Sequence, residues 1–370
     1  MRILIFLCLL CVSLTWAIPA EGGVIDDLFH ASVEIDDQST VQQQKAVKQA
    51  FSQVLVKVSG NRSLLADEKI KKQITRAKDF LLSYRFSIDK DKITYHAEFD
   101  VQKVENIIRT VGFPIWGKRR PETLIWLAVE QQQGGKRKLV AADSFPALVE
   151  QSKHIAQQRG ITVSFPVLDL IDIQKISVYD VWSSYTQSLL VASERYGAEY
   201  MVAARLFYRS ESAHPTSSKA EQADTNPDVA NVWVLEWTMS RKDDFSSGEV
   251  IGLTQAVAIE NLIETLADRL ADKYSISAVS DGVNGNSTEL KISQVDSLSA
   301  YTEVLSFLSS LSVVTSAELI EIQGDVATFK LKLFGNMDNL KEALLLEDRI
   351  ETPQDNSTQQ INEKPYRWKR

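Results

Sequence analysis

The alternation of apolar and polar residues within residues 24–61 predicts one strand followed by one long helix. Residues 29–35 alternate strictly, which is typical of a strand with one buried face. Residues 36–39 interrupt this alternation with side-chain oxygens that suit a helix start, and Gly60 suits a left-handed helix end. The apolar stripe of the predicted helix consists of Val47, Ala50, Phe51, Val54, Leu55 and Val58.

The same kind of pattern extends this start into a small unit over residues 24–112. Two alternating segments within residues 82–99 predict a hairpin, and a helical stripe over residues 101–111 ends at Gly112. The resulting β-α-β-β-α order favours an antiparallel sheet with helices on one face. Residues 288–347 show the same order, so the two ends of the chain echo each other without a residue-level repeat.

The pattern between the two end units is different and predicts an α/β domain over residues 122–275. Residues 124–129 are apolar without interruption, as expected of a strand that is covered on both faces. The fold class is therefore mixed, with a central α/β domain flanked by two small α+β units of β-α-β-β-α order. Helices are predicted at 145–158, 181–196 and 259–274, and strands at 161–165, 199–207, 232–239 and 249–257.

Three segments lack a clear apolar period. Residues 210–231 are rich in Ser, Ala, Thr, Asp, Asn and Pro and predict a mobile loop inside the central domain. Residues 275–287 have a linker composition. Residues 348–370 are predicted to be a disordered tail, whose last residues either contact a membrane or remain solvated.

Residues 1–20 predict a cleaved export signal. Arg2 supplies a positive charge, residues 3–14 form a short apolar core, and small residues follow. A bilayer span takes ~20 apolar residues, so we expect a periplasmic protein, with anchoring by an uncleaved signal as the alternative. Both cysteines, Cys8 and Cys11, lie inside this segment, so no disulfide or thiol nucleophile is expected after cleavage.

Composition and charge narrow the possible partners. The hydrophobic content of 44% and the charged content of 24% are ordinary for a globular chain. A net charge of −8 argues against binding to nucleic acid or to an anionic membrane surface. No later stretch is long and apolar enough to predict a membrane span, so the expected partner is another protein of the cell envelope.

Two motifs resemble the DUF2066 family of exported Gram-negative bacterial proteins. They are Asp-Asp-Gln-Ser at residues 36–39 and Val-Leu-Val-Lys-Val-Ser-Gly-Asn at residues 54–61, behind the predicted signal. The resemblance is placed over residues 24–274, most clearly in the first third, and it implies no substrate, cofactor or catalytic residue. Residues 193–206 are also similar to a helix-to-strand join in the amino-terminal domain of TolB and related periplasmic accessory domains, which are binding and assembly modules.

Motifs for common catalytic chemistries are missing from the sequence. It contains no Gly-x-Ser-x-Gly, His-Glu-x-x-His, phosphate-binding glycine loop or dinucleotide fingerprint. His30 and His96 fall on the polar faces of two predicted strands. With Asp36 or Asp37 they could hold a metal if the strands are neighbours, or they are unrelated surface histidines. We predict no metal and no cofactor.

Five residues are candidate contacts for a ligand or partner. Asp169, Asp172 and Asp180 follow a predicted strand end, where open α/β sheets bind ligands, and paired carboxylates suit acid–base chemistry. Capping of helix starts is the competing interpretation. Trp116 and Arg119 lie in a proline-bounded linker at residues 113–121, either contacting a phosphate or glycan or packing against a neighbouring unit.

Two functional hypotheses follow from different classes. The first is a non-enzymatic periplasmic binding or assembly factor that acts through protein–protein contacts. The second is a hydrolase that uses the carboxylates of Asp169, Asp172 and Asp180.

Overall fold

The fold comprises three β-sheets, each with its own hydrophobic core, in agreement with the predicted mixture of α/β and α+β architecture. The computed structural model describes residues 25, 27–90, 92–131, 135–209, 232–241, 244–276, 287–347, 349–351 and 365–369. The predicted export signal at 1–20 and the predicted mobile loop at 210–231 lie outside the described residues. Within those residues, no helix combines the length and the apolar character that crossing a membrane requires.

The amino-terminal unit is an antiparallel sheet in the order β1-β3-β2. Alternate residues of β1 are buried, as its pattern predicts. The Ser39 hydroxyl accepts a hydrogen bond from the Gln42 backbone N–H at the start of α1, and Gly60 ends that helix with φ of 70°. The elements are β1 (His30–Ile35), α1 (Thr40–Ser59), α2 (Glu68–Thr75), β2 (Leu81–Asp89), β3 (Lys92–Phe99) and α3 (Val101–Thr110).

The central sheet has the order β5-β4-β7-β8-β9, with β6 beside the start of β4. Strands β4 and β7 are parallel, while β8 and β9 run antiparallel to their neighbours. The elements are β4 (Glu122–Glu130), β5 (Arg137–Leu139), α4 (Pro146–Arg159), β6 (Thr162–Ser164), α5 (Leu170–Lys175), α6 (Val178–Trp182), α7 (Thr186–Ser193), β7 (Tyr200–Arg209), β8 (Val232–Arg241), β9 (Asp244–Gly252) and α8 (Gln255–Tyr274).

Helices cover both faces of β4, which explains its unbroken apolar run. Ile125 and Leu127 pack in the core beneath α4 and α8. Leu124 and Trp126 pack on the opposite side with residues of α6 and α7.

Two boundaries in the central domain differ from the predictions. The helix predicted at 181–196 is divided, because the chain turns at Ser184, whose φ is 51°, before α7 begins. The strand predicted at 249–257 spans Asp244–Gly252 instead. The Thr254 hydroxyl accepts from the Val257 backbone N–H, so residues that continue an apolar alternation begin α8.

The carboxyl-terminal sheet repeats the strand order of the amino-terminal unit and extends it. Strands β10, β12 and β11 stand in the same order as β1, β3 and β2, and two short strands continue the sheet beyond β10. The elements are β10 (Ser287–Ser293), α9 (Leu298–Ser310), β11 (Val314–Gln323), β12 (Val326–Leu333), α10 (Met337–Leu345), β13 (Ile350–Glu351) and β14 (Tyr366–Trp368).

The prediction of a disordered tail over residues 348–370 is wrong where the structure describes this segment. Strand β14 pairs in parallel with β10 and antiparallel with β13. Trp368 is only 1% exposed, and its ring lies 5.2 Å from that of Phe307. A strand of three residues is too short to show a period, so the sequence pattern gave no sign of it.

Candidate functional site

Asp169 and Asp172 lie together at the start of α5, where Arg195 binds both. The Asp169 carboxylate accepts from the backbone N–H groups of Ile171 and Asp172, at 3.0 and 3.1 Å. The Arg195 guanidinium donates to both Asp169 oxygens, at 2.7 and 2.8 Å, and to Asp172 at 3.0 Å. These bonds, Arg195 first, hold the pKa of the Asp169 carboxyl well below its ordinary value.

Asp172 is a buried brace for the loop before α5. It is 1% exposed and accepts from the Leu168 backbone N–H at 2.9 Å and from the Tyr196 hydroxyl. Leu168 has φ of 56°, so Asp172 stabilises a backbone conformation that leucine seldom adopts. Burial, helped by the bond to Asp172, raises the pKa of Tyr196 to about 12 and keeps its hydroxyl a donor.

Asp180 caps the next helix. Its carboxylate accepts from the Ser177 backbone N–H at 2.7 Å and from the Ser177 hydroxyl at 2.6 Å, completing a capping box on α6. The hydrogen bonds from Ser177 lower the pKa of Asp180. A general acid or base at neutral pH needs a pKa near 7, whereas the pKa shifts of Asp169 and Asp180 go in the opposite direction.

Trp116 and Arg119 both contact neighbouring units. Trp116 is 1% exposed, and its backbone N–H donates to the Val58 carbonyl at 2.7 Å. Arg119 donates through Nε to the Leu346 carbonyl at 2.5 Å, and its side chain is 17% exposed. The linker at 113–121 therefore contacts both the amino-terminal and the carboxyl-terminal unit.

The next residue, Arg120, was not among the sequence candidates, yet it is fully buried where two helices end. Its guanidinium donates to the carbonyls of Lys57 at 2.6 Å and Gly160 at 2.7 Å, near the carboxyl ends of α1 and α4. It also donates to the carbonyls of Trp116 and Gly117, at 2.9 Å each. Helix carboxyl ends carry partial negative charge and attract cations. We call this set of contacts the Arg120 junction.

Burial lowers the pKa of Arg120 to about 9, so the guanidinium remains charged at neutral pH. Arg159 extends the junction toward α8. It donates to the Gly60 carbonyl at 3.0 Å and forms ion pairs with Asp268, at 2.6 Å, and with Glu264. Helix-ending glycines mark both helix ends in the sequence, but nothing in the sequence indicates that one arginine contacts both.

A groove of about 470 Å³ lies beside this junction, between the start of the amino-terminal unit and α4. Ala156, Ile161 and Val163 give it an apolar lining, and Asp27 and Gln157 continue into a smaller cleft at β1. The cleft contains Lys57, whose ammonium donates to the His30 carbonyl at 2.9 Å. Burial lowers the pKa of Lys57.

The two histidines considered as metal ligands lie on adjacent strands and bind other residues. His96 lies between the hydroxyls of Ser32 and Ser87, at 2.8 and 2.7 Å. His30 lies opposite Glu98, with Nε2 and Oε1 separated by 3.6 Å. No group of three His, Cys, Asp or Glu side chains among the described residues could hold a metal ion.

The helical segment that holds the acidic residues also contains the largest group of exposed large apolar side chains in the described chain. Seven of the 20 large exposed apolar side chains lie within residues 167–191, with Leu170 at 76% and Tyr179 at 68% exposure. The pattern alone did not separate these positions from buried ones. We call this set the apolar helical surface; it comprises Val167, Leu170, Ile171, Ile173, Tyr179, Tyr185 and Val191.

The described residues form three units, each built on its own sheet, and the two end units share one strand order. Residues 286–368 match the DUF2066 family, and residues 23–117 match DUF8605, a domain of unknown function. The DUF2066 match supports the family resemblance but covers the carboxyl-terminal unit. The motifs at 36–39 and 54–61 instead lie within the DUF8605 match. No curated protein matches the chain.

Proposed function

We propose that the protein is a non-enzymatic binding or assembly factor of the periplasm that acts through protein–protein contacts. The observation that carries this proposal is the apolar helical surface. Large exposed apolar patches mark interaction sites, and seven large apolar side chains are exposed within this one helical segment.

The charges around the apolar helical surface suit a protein partner. Arg195 is paired with Asp169 and Asp172, and Asp180 is bound by Ser177, so the ionic groups beside the surface satisfy one another. Tyr179 and Tyr185 add exposed aromatic rings, which are enriched in protein interfaces. A partner that covers these three carboxylates therefore does not have to supply their counter-charges.

The hydrolase alternative requires a carboxylate that can approach a substrate. Asp169 and Asp172 are bound to Arg195, and Asp180 caps α6. None of the three lines the groove or the cleft described above. A combined Asp169→Asn and Asp172→Asn variant distinguishes the two hypotheses. A binding factor that still folds keeps its cellular function, whereas a carboxylate enzyme loses it.

The periplasmic location rests on the predicted signal at residues 1–20 and on the family resemblance. The similarity to the TolB amino-terminal domain concerns residues 193–206, which form the end of α7, a short 3-10 helix, Gly197 and the start of β7. Any α/β unit can contain such a helix-to-strand connection, so this similarity is compatible with the proposed role but does not carry it. Cell fractionation of the full chain tests the location directly.

The binding role is tested by site-specific photocrosslinking in intact cells. A photoreactive residue replaces Leu170 or Tyr179 of the full chain, and Lys48, which is exposed on α1, serves as the control position. We expect one discrete protein adduct from both surface positions, identified by mass spectrometry, and none from Lys48. Identical crosslinking patterns at all three positions would contradict the proposed use of this surface.

A further inference from the structure

The outer edge of β2 has no strand partner among the described residues, because β2 ends the sheet of order β1-β3-β2. The Phe99 backbone N–H donates to the Phe29 carbonyl, so Phe99 of β3 bonds toward β1. This direction alternates along an antiparallel ladder, so His96 of β3 bonds toward β2, where it lies opposite Arg85. The backbone groups of Arg85 therefore face β3, and those of its two neighbours in β2 point outward.

The residues of β2 whose backbone groups point outward also carry apolar side chains on one face of the sheet. Tyr84 stacks on Tyr95 with ring centroids 5.4 Å apart, and the Phe86 ring lies 5.5 Å from the same ring. This is the face that α1 covers over β1 and β3, and Tyr95 is buried there. Tyr84 and Ile88, in contrast, are 52% and 67% exposed. We call Tyr84, Phe86 and Ile88, with their outward backbone groups, the β2 edge.

The features that usually protect a sheet edge from pairing are weak at the β2 edge. Natural edge strands often avoid pairing through bulges, prolines and charged side chains. Strand β2 contains no proline, and its one register shift lies at its start, between Leu81 and Ser83. Strand β11, which has the same place in the carboxyl-terminal unit, has two register shifts and exposes Glu318 and Glu321. Strand β2 is thus regular from Ser83 to Asp89 and open to pairing.

The opposite face of β2 carries two charges of opposite sign, Arg85 and Asp89. Both are exposed, and neither has an ion-pair partner among the described residues. They lie at equal distances along the strand on either side of Ser87, and Phe86 and Ile88 are its direct neighbours. The strand around Ser87 is therefore complementary to itself when it is turned by 180° about an axis through this residue.

From this self-complementarity we propose that the β2 edge binds a second copy of this chain, which pairs antiparallel around Ser87 and joins two three-stranded sheets into one. In this register Arg85 of each copy lies opposite Asp89 of the other. Phe86 lies opposite Ile88, so outward backbone groups meet outward backbone groups. A register centred on Phe86 leaves both charges unpaired, and one centred on Arg85 places two cations opposite each other. Such a two-fold contact, with the same patch on both subunits, is the commonest kind in homodimers.

The proposed contact combines the interactions that stabilise an antiparallel pair. Opposite charges and apolar or aromatic side chains directly across two strands are favourable, whereas like charges at these positions are unfavourable. The β2 edge belongs to the amino-terminal unit, and the apolar helical surface belongs to the central domain. This inference therefore goes beyond the proposed function and does not depend on it.

Sedimentation velocity of the full mature chain over a range of concentrations tests the proposal, and we expect a reversible monomer–dimer equilibrium. Arg85→Asp turns both facing charge pairs into pairs of like charge, and so does Asp89→Arg. Both side chains are exposed, so both variants should fold. We expect each variant to raise the dissociation constant of the dimer at least about tenfold. Lys48→Asp on α1 changes the net charge as much as Arg85→Asp does and should leave the dimer unchanged.

A mixture of the two variants distinguishes this register from other contacts. The Arg85→Asp protein has two acidic residues at these positions and the Asp89→Arg protein has two basic ones. Only a mixed pair then places opposite charges at both contacts, so we expect dimers in the mixture and far fewer in either variant alone. The double variant with both substitutions exchanges the two charges and should dimerise like the unmodified chain. Failure of both rescues would overturn the pairing around Ser87.

Hydrogen exchange followed by NMR reports on the backbone contacts. We expect the amides of Phe86 and Ile88 to be protected only at concentrations at which the dimer forms. A chain that is monomeric at every concentration overturns the proposal. So does a dimer that both charge variants retain and Leu170→Asp dissociates, because that dimer uses the apolar helical surface. Crosslinks from Leu170 or Tyr179 to another protein do not require the β2 edge, so this test and that of the proposed function fail separately.

Discussion

At the scale of single residues, Arg120 shows how a buried cation can be accommodated through carbonyl groups. Its planar guanidinium donates to carbonyls from the amino-terminal unit, the linker and the central domain. Its cation also lies 4.0 Å from the centroid of the Trp116 ring. A lysine cannot reproduce this fork of donors, because its ammonium is a single point charge.

Replacing Arg120 with methionine tests the energetic weight of the Arg120 junction. Arg120→Met keeps an apolar stem but leaves several buried carbonyls without donors, so we expect the free energy of unfolding to fall by on the order of 3 kcal/mol. Urea unfolding measures this change. Arg76→Met is the control, since Arg76 is exposed and pairs with Asp79, and it should cost less than about 1 kcal/mol. Equal effects would contradict the role assigned to the junction.

His96 provides a pH-dependent contribution to stability. Burial, and then the neighbouring Arg85, lower its pKa below the ordinary value of 6.5. Between the pKa of His96 in the folded chain and its ordinary value, the unfolded chain binds more protons than the folded chain. The free energy of unfolding therefore rises with pH through this window and falls on acidification. We expect His96→Gln to reduce this dependence, measured as the melting temperature above and below pH 6.5. Parallel pH profiles of the two proteins would refute the assignment.

At the scale of elements, α1 ends where three parts of the chain meet. Gly60 has φ of 70°, and a Cβ at this position would lie 2.5 Å from the Ala271 Cβ and 3.0 Å from the Trp116 ring. The glycine therefore serves both the left-handed helix end and the close approach of α8. The sequence identified the helix end, because capping is local, but it contained no sign of the approach.

Gly60→Ala and Gly112→Ala separate these two contributions. Gly112 has φ of 80° and nothing within 4 Å of its Cβ position, so alanine there meets only backbone strain of about 1 kcal/mol. At Gly60 the same strain is joined by the contact with Ala271, and we expect the larger loss of stability. Thermal unfolding of the two variants checks the order. A loss at Gly112 equal to that at Gly60 would mean that the close approach costs nothing.

At the scale of the whole molecule, segments that are far apart in the sequence pair in one sheet or contact one another through side chains. Strand β14 lies more than 70 residues from β10 along the chain, yet it continues the same sheet. Arg159, at the end of α4, likewise contacts the Gly60 carbonyl after α1 and the Asp268 carboxylate of α8. Such contacts join units that the sequence pattern separates.

Trp368→Ala tests whether the last described strand is part of the carboxyl-terminal core. Truncating a buried tryptophan typically costs about 3–5 kcal/mol, so we expect the carboxyl-terminal unit to unfold at lower denaturant concentration. Lys369→Ala removes only an exposed ion pair with Glu351 and should leave stability nearly unchanged. Circular dichroism follows the denaturant unfolding of both variants. Equal stability of the two variants would contradict the packing of Trp368.

The sequence predicted what depends on neighbouring residues and missed what depends on distant ones. The alternation of β1, the stripe of α1 and the unbroken apolar run of β4 all follow from local periodicity. The pattern located Asp169 and Asp172 but not their partner, Arg195, because ion pairs between separate elements leave no periodic signal in the sequence. The sequence pattern also did not predict the exposure of Leu170, because it does not distinguish exposed from buried apolar residues.

The Arg120 junction also constrains how the molecule comes apart. If the amino-terminal unit were to melt alone, the guanidinium would lose the Lys57 carbonyl while still held against Gly160. Opening along this seam gives up this hydrogen bond together with the one from Arg159 to the Gly60 carbonyl, so partial opening is disfavoured. On heating, the amino-terminal unit and the central domain should therefore unfold in a single cooperative step, which calorimetry would record as one peak.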